Sequence, residues 1–309
     1  MEILKIKPAY KDYLWGGERL KKEYGKDTDM SPLAESWELS VHPDGPSVII
    51  GGKYDGKTLK EFLDENPNAL GEANKDGELP ILIKLIDAQD NLSIQVHPDN
   101  EMAKELENQN GKTEMWYVVD AKDDAKIIFG MKEDTDKAVV EKAIKENTVL
   151  DLLSINDSKK GDVFFVEAGT IHAIGKGNLI AEIQQNSNVT YRLYDYNRKG
   201  KDGKTRELHI EKGLKASDTK AVKKHKTPNL EDGTRLLASC EYFNVRELNL
   251  SGEYTLKTTK KSYCALLNVG GNSVVNGEAF SQGQCLFIPA TDGEIKLEGN
   301  STILITETL

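Results

Sequence analysis

A chain of 309 residues is long enough for one large domain or two smaller ones, and apolar residues recur along it without a low-complexity tract, which argues against disorder. Its net charge of −10 repels DNA, RNA and acidic membranes at long range, so an anionic partner requires a pocket with its own cations. No run approaches the roughly 18 apolar residues of a membrane span, the start MEILKIKPAY lacks an apolar signal core, and a cytoplasmic protein is expected.

In chain order, SVII (47–50) reads as the first clear strand, followed by a helix in TLKEFLDENP, where Thr58 and Glu61 have capping-box spacing and Leu59, Phe62 and Leu63 share a face. LPILIKLIDA (79–88) and LSIQV (92–96) are strands, and Asp99 is the expected N-cap of a helix over 99–108 that groups Met102, Ala103 and Leu106. EMWYVVDA (114–121) and AKIIFG (125–130) are strands again, TDKAVVEKAIKEN predicts a helix with Val139, Ala143 and Ile144 on one face, and GDVFFVEAG (161–169) returns to strand. KGKDGKTR from Lys199 is a polar turn, and the basic stretch Lys215 to Thr234 reads as a linker before a final series of β-type runs from YFNVRELNL to STILITETL. The three cysteines, Cys240, Cys264 and Cys285, are widely spaced and signal neither a disulfide framework nor a thiolate zinc site.

Two segments share a pattern: GDVFFVEAGTIH (161–172) and GQCLFIPATDGE (283–294) each have a Gly, five mostly strand-forming residues and a turn. Both resemble the second motif of cupin barrels. The first keeps Gly161, Gly169 and His172; the second keeps Gly283 and Pro289 but has no histidine. The expected fold is therefore mainly β: a cupin-type jelly-roll barrel with helical insertions over residues 1–225, plus a smaller C-terminal antiparallel β domain, a degenerate cupin half, over 226–309.

The phrase VHPD occurs twice, at 41–44 and 96–99, and the neighbours separate the two histidines. On an extended LSIQVH, Ser93, Gln95 and His97 point the same way, so an amide oxygen and an imidazole can reach one ion. The residue two before His42 is Ser40, a poor ligand, and His42 is expected to be packed or at a pocket rim. Glu114 opens the next strong strand, and His172 follows a Gly turn in GTIHAIG. Gln95, His97, Glu114 and His172 together make a set of N and O donors that suits zinc ahead of manganese, iron or cobalt. Two neutral imidazoles, an amide and one carboxylate leave a divalent ion at about +1, still a Lewis acid.

YLWGG (13–17), ESWELS (35–40), LSIQVHPD, KTEMWY, GTIHA and QQNSNVTYRLYDYNR (184–198) together resemble the type I mannose-6-phosphate isomerases in their short bacterial form, in order from about residue 7 to 215. The resemblance implies an aldose–ketose isomerase that interconverts mannose 6-phosphate and fructose 6-phosphate through a cis-enediol. It implies one zinc ion per chain on the same donors, Gln95, His97, Glu114 and His172. It further implies catalytic roles for Lys112 and Arg192 and phosphate contacts from Ser93 and Arg198. Some relatives carry an aspartate where this chain has Asn188, which cannot ionise and is assigned an orienting role in substrate binding. Each position also has a plainer reading: Lys112 as a solvated turn residue, the arginines as surface partners of Asp195, Trp116 as core. Against those readings stands the concentration of Lys112, Arg192 and Arg198 near the presumed ligands of an acidic chain, which a phosphosugar dianion needs. Two rival functions remain: a non-catalytic phosphosugar-binding cupin, as Asn188 permits, and an iron or manganese cupin oxygenase or lyase, which would lose activity with zinc.

Overall fold

The apolar runs form strands close to the segments quoted above: Val48–Ile50, Ile81–Asp87, Ile94–Val96, Glu114–Ala121, Lys126–Met131 and Val163–Val166. The computed structural model describes residues 2–74, 77–200, 203–223 and 225–308. Parts of the polar turn after Lys199 (201–202) and of the expected linker (224) lie outside them.

The described strands form three sheets. A six-stranded sheet runs in the order Val163–Val166, Glu114–Ala121, Asn178–Gln185, Ile81–Asp87, Glu35–Leu39, Ala9–Lys11. A five-stranded sheet runs Tyr191–Tyr194, Ile94–Val96, His172–Ile174, Lys126–Met131, Leu153–Asp157. The third, eight-stranded sheet holds the long C-terminal strands Asn244–Thr258, Cys264–Val275 and Gly293–Glu307, and the N-terminal strands Leu4–Lys7 and Val48–Ile50 extend it beyond Cys285–Ile288.

The jelly-roll barrel expected from the sequence is not what forms. Closure requires the first and last strands of a sheet to pair with a consistent stagger, but every strand order here is an open path with two ends. Ile94–Val96 and His172–Ile174 have only three residues each, too short to carry a continuous stagger around a barrel. The sheets meet through side chains instead. One face of the six-stranded sheet, with Ile83, Leu85, Met115, Tyr117 and Ile183, packs with Leu267, Phe287 and Leu304 of the eight-stranded sheet. Its other face, with Ile86, Trp116, Val118 and Ile180, packs with Ile127, Phe129 and Ile174 of the five-stranded sheet. The two similar segments do share a local shape: Gly161 and Gly283 have φ of 86° and 84°, a left-handed turn open to glycine, two residues before a strand.

Helices occupy connections. Leu59–Glu65 carries the expected capping box between Thr58 and Glu61, and Asp99 caps Asn100–Glu107 by accepting the Met102 amide at 2.9 Å. In Lys137–Lys145 the buried face is Val140, Ala143 and Ile144, and Val139, expected on that face, is exposed. At 3.6 residues per turn, 140 rather than 139 completes the i, i+3, i+4 stripe. Among the described residues no helix is long and apolar enough to cross a membrane.

A buried ion pair joins the layers. Lys26 Nζ lies 2.7 Å from Glu38 Oε1 and donates to the Gly283 carbonyl at 2.5 Å, linking the strand Glu35–Leu39 to the turn before Cys285–Ile288. Burial pushes the Glu38 carboxyl above its usual range, and Lys26 opposes that shift. Lys26→Met strands the carboxylate and is expected to cost about 3–5 kcal/mol, whereas Lys26→Met with Glu38→Leu recovers most of it; urea unfolding at pH 7 checks both.

Candidate active site and metal centre

The period of two along Glu114–Ala121 sends Met115, Tyr117 and Val119 to the large core and Glu114, Trp116 and Val118 to the face opposite the five-stranded sheet. That facing sheet supplies the histidines. His172 pairs in register with Gln95, and His97 follows the end of Ile94–Val96. The site thus draws Gln95, His97 and His172 from one sheet and Glu114 from the other.

The two imidazoles are fixed in the same tautomer. His97 Nδ1 donates to the Val189 carbonyl and His172 Nδ1 to the Thr170 carbonyl, each at 2.8 Å, so each neutral ring presents a lone pair at Nε2. Those Nε2 atoms lie 3.2 Å apart. Glu114 is 3.4 Å from His172 Nε2 through Oε1 and 3.5 Å from His97 Nε2 through Oε2; its buried Oε1 accepts no hydrogen bond among the described residues. The side-chain amide of Gln95 approaches His172 Nε2 at 3.4 Å, and a half-turn of that amide presents its oxygen there. His97, Glu114 and His172 are all buried, with ligand atoms within 4.8 Å of one another. Converging lone pairs, an orphaned carboxylate oxygen and burial of all three residues fit a divalent cation. Lys112 Nζ reaches into the same cluster, touching Glu114 Oε2 and lying 3.0 Å from His97 Nε2.

A cavity of about 280 Å³ opens onto this cluster, lined by Gln95 and Lys112 together with Ser93, Asn188 and Arg192. Arg192 donates to the Glu207 carbonyl at 2.9 Å, and its buried Nε has no partner among the described residues. Asn188 is held by Asp44 at 3.0 Å. Arg198 is not in the lining; it binds the Asn91 carbonyl and Asp195, both at 2.5 Å. His42 is packed away from the cluster, accepting the Asp44 amide through Nδ1 and meeting the edge of Trp37.

Several cavity residues escaped the sequence reading. Lys84, Glu182 and Glu35 sit in the wall beside Lys112, with Lys84 Nζ 3.0 Å from Glu182 and 3.8 Å from Glu35. Trp37 and Trp116 are fully buried and donate to Glu35 at 2.7 Å and Glu182 at 3.0 Å. The signal was present: a lysine inside LPILIKLIDA and a glutamate inside NLIAEIQQ are charges flanked on both sides by apolar strand residues. Arg206, also on the wall, gave no such signal because it lies in a polar loop.

The N-terminal part of the chain, residues 3–148, matches the family model described as "Phosphomannose isomerase type I, catalytic domain", and residues 233–307 match "Mannose-6-phosphate isomerase, cupin domain". Mannose-6-phosphate isomerase ManA of Bacillus subtilis is 38% identical over 99% of this chain and 98% of its own length. A mannose-6-phosphate isomerase of Streptococcus mutans is 37% identical over 94% of this chain and 93% of its own. The crystal structure of the mannose 6-phosphate isomerase from Bacillus subtilis superposes with a TM-score of 0.92 at 32% identity, covering 99% of both chains.

Electrostatics keep both imidazoles neutral. Burial, reinforced by the Lys112 charge, lowers His172 from 6.5 to about 3 and holds His97 well below its ordinary value. Burial raises Glu114 to about 7 against the pull of Lys112, and the same burial is outweighed at Glu182 by Lys112 and Lys84, which keep it ionised. A histidine whose folded pKa is depressed contributes stability above its unfolded pKa and loses it as pH falls toward the folded value. For His172 that window runs from 6.5 down to about 3, and the loss at pH 5 is about 2 kcal/mol at 1.36 kcal/mol per unit. Glu114 works in the opposite direction, being protonated as pH falls through 7. Comparing metal-stripped wild type with His172→Gln cancels that term. Urea unfolding at pH 7.5 and pH 5 is expected to show the wild type losing about 2 kcal/mol more than the variant.

Proposed function

The chain belongs to the family of type I phosphomannose isomerases and interconverts mannose 6-phosphate and fructose 6-phosphate; we propose that it does so in the cavity over Gln95, with one zinc ion held by Gln95, His97, Glu114 and His172. The observation that carries the reading is the facing pair of Nε2 lone pairs 3.2 Å apart beside a carboxylate oxygen with no hydrogen-bond partner among the described residues. Bound there, zinc supplies Lewis acidity toward the sugar oxygens, because a single carboxylate neutralises only half its charge.

The protein's own groups supply the rest. Isomerisation moves a proton between C1 and C2 of the open-chain sugar through a cis-enediol, and that proton needs a carrier on the cavity side. Lys112 lines the cavity and touches both His97 and Glu114, which places its amine between the substrate space and the ligand cluster. Negative charge develops on the two sugar oxygens as the enediolate forms. Arg192, whose Nε lacks a partner among the described residues and whose strand pairs with Gln95 in register, is the donor for that charge. Asn188, tied to Asp44, orients a sugar hydroxyl rather than exchanging a proton. Trp15, Ile86, Leu92 and Ile174 give the wall its apolar part and strengthen each of these electrostatic contacts by displacing water.

In the same reading residues 1–225 carry the chemistry and 226–309 form a smaller β unit. Every assigned site residue precedes the boundary, and the two family matches fall on either side of it.

A coupled assay on mannose 6-phosphate is expected to lose activity after chelator treatment, to recover with zinc, and to show no turnover of glucose 6-phosphate. Lys112→Met is expected to lower kcat by roughly 10²–10⁴-fold with bound zinc unchanged, the range for loss of a general acid–base group. Full activity in chelator-treated enzyme contradicts the metal assignment; unchanged kcat in the lysine variant removes Lys112 from proton transfer.

A further inference from the structure

The resemblance to type I isomerases places the phosphate on Ser93 and Arg198, but the structure gives Arg198 other work. Its guanidinium binds the Asn91 carbonyl and Asp195, each at 2.5 Å, approaches Asp90 at 3.5 Å, and lies outside the cavity lining. Arg206 is on the wall. Its Nε donates to Asp195 Oδ2 at 2.8 Å and one Nη to Asp195 Oδ1 at 2.6 Å, a two-pronged contact that fixes the plane of the guanidinium. Asp195 is buried and shared by both arginines; burial opposes its ionisation, and the hydrogen bonds from Arg206 and Arg198 prevail and keep it charged.

The other cations of the wall are committed elsewhere. Lys84 pairs with Glu182 and Glu35, Lys112 touches Glu114, and Arg192 faces the reacting end of the sugar. Arg192 and Arg206 are close enough that the charge of Arg206, after burial, lowers the Arg192 pKa, and the Arg192 Nε is buried without a partner among the described residues. With the Arg192 Nε serving the enediolate, Arg206 is the guanidinium of the wall left for an anion at the far end of the sugar.

We propose that Arg206 binds the 6-phosphate of the sugar together with Ser93, and that Arg198 is a positioning residue that clamps Asp195, and through it Arg206, to the Asn91 carbonyl. Leu92 and Ser93, the next residues after Asn91, line the cavity, so this clamp sets the spacing between Arg206 and Ser93. The fork geometry distinguishes Arg206 from a diffuse positive potential: a lysine keeps the charge and loses the fixed plane.

The proposal rests on the isomerase reading, and two readouts separate their failures. In steady-state kinetics, Arg206→Ala is expected to raise KM for mannose 6-phosphate by about tenfold or more with kcat within about threefold, the signature of lost binding shared by ground and transition states. Arg206→Lys falls between, and Arg198→Ala raises KM less than Arg206→Ala. Independently of turnover, calorimetric binding of inorganic phosphate to the zinc-loaded wild type is expected to weaken in Arg206→Ala by a similar factor. Arg206→Gln, closer in size, replaces the alanine variant if that one does not fold. Unchanged KM and unchanged phosphate affinity in a folded Arg206 variant overturn the proposal while leaving the isomerase assignment intact. A larger KM increase in Arg198→Ala than in Arg206→Ala overturns the division of roles.

Discussion

Two buried imidazole nitrogens 3.2 Å apart, lone pair toward lone pair, need positive charge beside them, and the Lys112 ammonium 3.0 Å from His97 Nε2 supplies part of it. That constraint organises the centre of the molecule. Around the pair, buried charges alternate in sign from Glu35 to Lys84, Glu182, Lys112 and Glu114. Removing a single member would leave an unpaired charge in low dielectric, which is the costly way to break a buried ionic set. Trp37 and Trp116 hold Glu35 and Glu182 by their indole N–H groups, so the row is fixed in position as well as balanced. The row ends in one carboxylate oxygen with no partner among the described residues, beside the two histidines. A divalent cation completes it.

The architecture follows from placing that row on a sheet. Cross-strand register brings Trp37 opposite Lys84, Lys84 opposite Glu182 and Glu182 opposite Trp116, a line across the middle of the six-stranded sheet. The opposite face of the same strands is apolar and packs on the C-terminal sheet, so the charged line lies on one side of a rigid layer. The histidines come from a second, open sheet, and a cation held by both would tie the two layers as well as serve chemistry. The eight-stranded sheet contributes no ligand to this cluster. Its role is to bury the back of the layer that carries Glu114, and the Lys26 bond to Gly283 fixes that contact.

The cluster of His97, Glu114 and His172 was legible because its members had informative neighbours. Gln95 two residues before His97 separated that histidine from His42, and a carboxylate opening an otherwise apolar strand marked Glu114. Capping signals located the helices after Thr58 and Asp99. Closure of the sheets was not legible: local strand patterns do not state whether sheet ends meet, and three-residue strands do not sustain a barrel. The helical face at Val140 was misread by one residue because Val139 and Val140 are adjacent and chemically identical. Arg206 could not be found, since its position depends on Asp195 folding back between two arginines. Lys84 and Glu182 could have been found, as charges in buried strands demand partners.

The central claim is that this cluster is a four-donor site for one cation. Zinc K-edge X-ray absorption on protein loaded with one equivalent tests it most directly. The account predicts saturation at one ion per chain and a shell of two imidazoles and two oxygen donors at roughly 2.0–2.2 Å, without sulfur. Binding well below one equivalent, a sulfur shell near about 2.3 Å, or a spectrum unchanged when His172 is replaced by Gln would contradict it.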